Sequence, residues 1–231
     1  MKPAAVVLLS AGLDSTANLW MALDQGIDVR LVLTANYGQR AAVREIERSA
    51  KIGSLFGIRH AVVDLPFVKD FGGSSLVDSS KVIPVGHDVS IDDYGQSVKT
   101  AKSVWVPNRN GILLNIAAGY AEALGAQYVV PGFNAEEAVT FPDNTPAFMK
   151  ALDGSFAFST SNQVQVTCFT KDLQKPEIAI RAKALGARFD LMWPCYLAAE
   201  KPCGQCESCQ RDKRAFRAAG LDLQALFQDA T

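Results

Sequence analysis

Several functional classes are excluded by what this sequence has little of. Histidine occurs only at His60 and His87, and neither sits in a metal-ligand or Ser-His-Asp spacing. No apolar run approaches the ~20 residues of a membrane span. The start, MKPAAVVLLSAG, lacks the layout of a signal peptide, so a cytoplasmic protein with no membrane partner is expected. A formal net charge of −1 gives no general attraction to nucleic acid. One basic run, Arg211, Lys213, Arg214 and Arg217, reads by default as a solvated helix face. There is no internal repeat and no low-complexity tract, and both G-x-x-x-x-G-K-[ST] and G-x-G-x-x-G are missing.

What is present is an ordinary globular composition, 48% hydrophobic and 20% charged, in 231 residues. That length suits one large domain, alone or with a small appendage. Strand-like and helix-like patterns alternate. Strands are expected at 4–10, 28–37, 59–66, 126–133 and 163–169, and helices at 14–26, 41–57, 111–125 and 175–186. Such alternation predicts an α/β fold with a doubly wound, mostly parallel sheet. Ligands in such sheets sit at the carboxyl ends of the strands, which gathers residues 10–15, 36–40 and 132–143 around one crevice. Residues 66–105 break the alternation and read as a long excursion, partly mobile, that acts as a lid. The expected division is an α/β domain over 1–192 and a Cys-rich appendage with a C-terminal helix over 193–231.

Between the first strand and first helix stands Ser10-Ala11-Gly12-Leu13-Asp14-Ser15-Thr16. Small residues let the backbone approach an anion, hydroxyls and N–H groups supply donors, and the helix dipole adds positive potential. A phosphate or pyrophosphate fits. Asp14 suits that site through Mg2+; otherwise it is the helix N-cap and the loop a plain capped turn.

Four of the five cysteines, Cys195, Cys203, Cys206 and Cys209, fall within fifteen residues, spaced C-x7-C-x2-C-x2-C. Four thiolates fit a closed tetrahedral Zn2+ site, structural and one per chain. An iron–sulfur cluster is the alternative, since C-x2-C-x2-C also occurs there. Cys168, at the end of a strand pattern, reads as a small buried hydrophobe.

The first loop resembles the S-G-G-x-D-S pyrophosphate loop of the ATP pyrophosphatases. Ala11 replaces the middle Gly, a small cost if the backbone there keeps a negative φ. Within that superfamily the chain is similar to the 7-cyano-7-deazaguanine synthases. Asn36-Tyr37-Gly38-Gln39-Arg40 resembles their D/N-Y-G-Q-R, and Val106-Pro107-Asn108-Arg109-Asn110 their V-P-G-R-N with Asn108 for Gly. Phe141-Pro142-Asp143 resembles their Y-P-D ahead of a helix, and Lys175-Pro176-Glu177-Ile178 their K-x-E-I. Pro194-Cys195-Tyr196 and Cys203-Gly204-Gln205-Cys206-Glu207-Ser208-Cys209 resemble their C-Y and C-G-x-C-x-x-C. The matches run in order from residue 4 to 216. One stretch departs: the family's acidic residue and S-G-Y-P-D-C-R become Asn134-Ala135-Glu136-Glu137-Ala138-Val139-Thr140-Phe141-Pro142-Asp143-Asn144.

The resemblance implies an ATP-dependent ligase that joins ammonia to 7-carboxy-7-deazaguanine and dehydrates the product to the nitrile. ATP, with Mg2+, is its co-substrate, ammonia is free, and the enzyme is a homodimer. It implies ATP contacts from Leu8, Leu9, Ser10, Ala11, Gly12, Leu13, Asp14, Ser15, Thr16 and Tyr37. Tyr37 would stack on a base, unless it is a core aromatic. Asp14, Arg109 and Lys175 are the implied catalytic residues, the two cations neutralising phosphate charge unless they are surface charges. Arg109, Asn110, Glu136, Glu137 and Asp143 are the candidate substrate residues, because a carboxylate suits the adjacent N1–H and amine of a guanine-like edge. Two other readings stand beside this one. A paralogue could adenylate a different acid, as the altered 134–144 loop suggests. A zinc-containing nucleic-acid-binding module is disfavoured by the pI near 6.1 and by the lack of aromatics among Arg211–Arg217.

Overall fold

The computed structural model describes residues 2–230. Strands β1 (Ala4–Leu8), β2 (Asp28–Asn36), β3 (His60–Asp64), β4 (Tyr128–Val130) and β5 (Gln165–Val166) form one sheet in the order β3-β2-β1-β4-β5. Every pairing is parallel. β1 sits at the centre because its sequence, AAVVL, is apolar on both faces. Ala5 and Val7 enter one hydrophobic cluster, Ala4 and Val6 the other. That alternation is the period of two expected of a strand buried between layers.

Helices α1 (Leu13–Asp24) and α2 (Ala42–Leu55) cover the first face, through residues such as Leu19 and Ile52. α4 (Arg109–Ala123) and α5 (Pro146–Ser159) cover the second, through Leu114, Ala118, Met149 and Phe156. α3 is Tyr94–Val104, and α6 (Lys175–Ala184) and α7 (Glu207–Ala218) pack together on the first face. The chain runs outward from β1 to β3, then returns to place β4 on the other side of β1. The strand order therefore reverses between β1 and β4, which opens a crevice beyond their carboxyl ends. Gly26 and Gly57, at φ 74° and 64°, close α1 and α2 as left-handed C-terminal residues.

Residues 66–105 contain regular structure, and one expectation, the length of the fifth strand, is corrected. They hold a 3-10 turn at Pro66–Phe71, another at Gly86–Asp88, and the whole of α3. The segment is tied down where Ser75 N–H donates to Ser103 O (2.8 Å) and where Val85 bridges Cys206. The fifth strand is two residues long instead of seven. Beyond it, Thr170 Oγ1 donates to Phe133 O and turns the chain toward the crevice.

Candidate active site

Loop 9–12 leaves β1 at the reversal point. Ala11 adopts φ 59°, so the condition of a negative φ, under which alanine in place of glycine would cost little, is not met. The left-handed turn aims the Ala11 carbonyl at the Trp193 N–H, which donates to it at 2.8 Å. Ala11→Gly is expected to stabilise the fold by roughly 0.5–1 kcal/mol. The ~1–2 kcal/mol left-handed cost of alanine exceeds the ~0.4–1 kcal/mol of added freedom in the unfolded chain. A shift in urea midpoint at constant m checks it.

Gly12, not Asp14, is the N-cap of α1, and it carries no side-chain cap. The capped-turn reading of Asp14 is thereby removed. Ser15 Oγ lies 3.3 Å from both Ser10 N and Ser10 Oγ, so the two hydroxyls face the open helix N-terminus together. Across the crevice, Gly132 of the loop after β4 presses on this turn. A Cβ there would stand 2.5 Å from Ser15 N, so only glycine lets the loop approach. Sequence reasoning passed over Gly132.

Asp14 instead points into a buried ionic cluster. Lys175, the first residue of α6, places Nζ 2.7 Å from Asp14 Oδ2, 3.0 Å from Asp212 Oδ1 and 3.1 Å from Glu137 Oε1. One ammonium thus serves three carboxylates. Burial, reinforced by Glu137 and Asp212 and opposed by Lys175, pushes the Asp14 carboxyl up to about 7. Glu137 also feels burial, but Lys175 overcomes it and holds that carboxyl below its usual range. Lys175 is buried too, and its three acids hold it well above the usual lysine value. Asp14 Oδ1 is buried and accepts no hydrogen bond among the described residues.

A second group stands across the crevice. Arg109 Nε donates to Asn110 Oδ1 at 3.2 Å, and its guanidinium lies near Tyr37, Asp143 and Glu137. Burial lowers the Arg109 value, but these neighbours outweigh it and raise it. Burial raises Asp143 against the pull of Arg109. Glu45, on the first turn of α2, accepts from Gln39 Nε2 at 2.8 Å. Burial pushes its carboxyl up to about 7 despite that bond and Arg109. A carboxyl raised on folding binds its proton more tightly in the native chain, so stability is lost as pH rises from ~4.5 through ~7. Glu45→Gln is expected to flatten that part of the Tm–pH curve, which melts at pH 5, 6, 7 and 8 would show.

Both groups line one cavity of about 260 Å³. Of the residues expected from sequence, Leu8, Leu9, Ser10, Gly12, Leu13, Asp14, Ser15, Tyr37, Arg109, Asn110, Glu137, Asp143 and Lys175 line it. Three stand outside. Ala11 and Thr16 are fully buried behind the loop. Glu136 turns away, its Oε1 taken by Arg211 and Arg214. Gln39, Glu45, Trp105, Phe141, Tyr196 and Asp212 line the cavity and were not foreseen as site residues. Asp212 was hidden by its setting in Q-R-D-K-R, which reads as a charged surface.

Of that basic run Arg217 is exposed as expected, while the other three do not form the solvated face expected of them. Arg211 and Lys213 are buried, and Arg211 Nη2 lies 2.7 Å from Glu207 Oε1. Arg214 pairs with Glu136 and Asp92, at 2.5 and 3.7 Å. Positive charge paired in this way is not available to a phosphate backbone.

The sulfurs of Cys195, Cys203, Cys206 and Cys209 lie within 4.8 Å of one another. A tetrahedral Zn2+ with ~2.3 Å bonds sets its sulfurs about 3.8 Å apart. Cys203 and Cys209 Sγ stand 3.8 Å apart. The Leu197 and Cys203 N–H groups point at Cys195 Sγ, and those of Gln205 and Cys206 at Cys203 Sγ, at 3.3–3.4 Å. Such donors steady thiolate charge around a metal. Cys206 is the N-cap of α7 and Cys209 lies in its first turn. Cys168 is buried beside Thr170, as expected.

A family model described as queuosine biosynthesis protein QueC matches residues 4–220. The chain is 55% identical over 224 residues to the 7-cyano-7-deazaguanine synthase of Bdellovibrio bacteriovorus, covering 97% of each chain. It is 50% identical over 212 residues to that of Carboxydothermus hydrogenoformans, covering 91% of this chain and 97% of the other. The corresponding protein of Pelotomaculum thermopropionicum is 46% identical over 220 residues, with 95% and 99% covered.

Proposed function

The chain belongs to the QueC family of queuosine biosynthesis proteins, and from that premise we propose that it converts 7-carboxy-7-deazaguanine and ammonia to 7-cyano-7-deazaguanine. ATP adenylates the carboxylate and releases pyrophosphate, and ammonia displaces AMP to give the amide. A second ATP activates the amide oxygen, whose departure with AMP leaves the nitrile. The observation that carries this reading is Lys175 Nζ held on Asp14, at the mouth of an uncapped helix, inside one cavity at the reversal of the sheet. Fixed donors and cations in a site sheltered from water suit charge that develops on phosphate oxygens.

In this scheme Ser10, Gly12 and Ser15 receive the pyrophosphate. The unpartnered Asp14 Oδ1 suits the Mg2+ that accompanies ATP. Lys175 and Arg109 offset negative charge, and Tyr37 lies against the adenine. Asn110, Glu137 and Asp143 face the deazapurine acid, whereas Glu136 positions α7 from behind. The enzyme is read as a cytoplasmic homodimer that takes free ammonia.

The thiol cluster fits Zn2+. A cubane would place each thiolate on a different iron and hold the sulfurs farther apart than around a single ion, so the close set supports one ion. With four protein ligands the ion has no open position, and it supplies folding energy instead of chemistry. Purified protein is expected to carry about one zinc per chain by metal analysis; iron with a visible charge-transfer band would overturn this.

The deciding experiment is mass spectrometry of a reaction with ATP, Mg2+, ammonium and 7-carboxy-7-deazaguanine. Formation of the nitrile with AMP and pyrophosphate supports the reading. Failure to consume this acid, in protein that adenylates another one, supports the paralogue suggested by the 134–144 loop.

A further inference from the structure

Trp105 and Phe141 form the one parallel ring pair among the described residues. Their planes are 9° apart and their centroids 6.0 Å, within the range of an offset stack. The remaining pairs, Trp20–Phe56, Phe67–Phe71, Phe189–Phe216 and Phe216–Phe227, are edge-on or tilted by 44° to 88°. Trp105 and Phe141 come from separate segments, one between α3 and α4, the other in the loop after β4. Both are half-buried, and both line the cavity. A flat aromatic surface turned toward a cavity is a seat for a flat ring.

We infer that Trp105 and Phe141 are the platform on which the fused heterocycle of the acid substrate stacks, a deepening that rests on the substrate reading above. The platform's own chain supplies the edge contacts. Asp143 follows Phe141 by two residues, and Arg109 and Asn110 follow Trp105 by four and five; all three line the same cavity. A carboxylate beside the stack accepts from the adjacent N1–H and amine of a guanine-like ring. Adenine lacks that pair of neighbouring donors, so the seat fits the acid better than ATP.

Steady-state kinetics on Trp105→Ala and Phe141→Ala, with melting curves to confirm folding, test the assignment. Each is expected to raise KM for 7-carboxy-7-deazaguanine by about tenfold or more, the usual loss when a base gives up an aromatic partner. KM for ATP should move less than threefold. Trp105→Phe restores a smaller face and should fall between the alanine variant and the parent. Adding the acid without ATP should also quench intrinsic tryptophan fluorescence, and by less in Trp105→Phe, which keeps Trp20 and Trp193. If the alanine variants do not fold, Trp105→Phe and Phe141→Leu carry the same comparison. A KM for the acid that stays within threefold in folded variants overturns the platform. So does a shift in KM for ATP alone, which would put adenine there. A parent protein that neither binds nor consumes the acid overturns the substrate reading, and the platform with it.

Discussion

Asp14→Asn is expected to cut pyrophosphate release at least a hundredfold while leaving Tm unchanged or slightly higher. Two features set the two signs. Asp14 Oδ1 is a buried carboxylate oxygen without a hydrogen bond on a residue that lines the cavity beside the first loop, so its charge is what the amide removes from the reaction. In the folded chain, by contrast, Asp14 is one of three acids around a single ammonium, and burial already pushes it up to about 7. An asparagine relieves that crowding, and its amide oxygen still accepts from Lys175. No cap is lost, because Gly12 holds that position. Thermal melting and a pyrophosphate assay on one preparation test both halves. A protein that melts several degrees lower and still cleaves ATP would make Asp14 a structural residue.

Lys175→Met is expected to do the reverse to stability and the same to activity. Removing the one cation leaves Asp14, Glu137 and Asp212 facing one another in a buried pocket, and breaking a buried pair costs about 3–5 kcal/mol. For a chain of this size that is on the order of a 6–20 °C drop in Tm. The penalty has a direction in pH. Without the ammonium all three carboxyls titrate higher than they do beside it, so the loss is greatest above pH 7 and eases as acid protonates them. Combining Lys175→Met with Asp14→Asn should recover part of the lost stability, because the two side chains share one charge balance. Additive effects in the double variant would mean that the cluster is not coupled.

The fold was legible because β1 and β2 carry their burial in their composition, and because glycine closes α1 and α2 where the periodicity stops. α3 escaped notice for a physical reason. Its buried stripe is Ser97, Thr100, Ala101 and Val104, helical in spacing but half polar, and a search for apolar periodicity does not register it. The site was legible in its loops and invisible in its partners. Lys175 and Asp14 stand 161 residues apart, and nothing local in Q-R-D-K-R marks Asp212 as the acid that joins them. Glu136 and Glu137 are neighbours in sequence but begin a 3-10 turn, where successive side chains diverge by about 120°. One reaches Lys175 and the other two arginines, a choice made by tertiary contacts.

Cysteines of the thiol cluster and cavity residues alternate along a short stretch of chain: Cys206, Glu207, Ser208, Cys209, Arg211, Asp212. If that cluster takes up Zn2+ as proposed, maturation of the protein would be ordered. On the zinc reading the ion holds the start of α7 together with the Val85–Cys206 bridge and the Glu136–Arg211 pair, so without it the placement of Asp212 beside Lys175 would loosen. A newly made chain would then be silent toward ATP until it is metallated, and scarcity of the ion would lower the number of competent molecules, not the rate of each one. Titrating metal into apo-protein should raise the active-site count in proportion, at constant turnover per site.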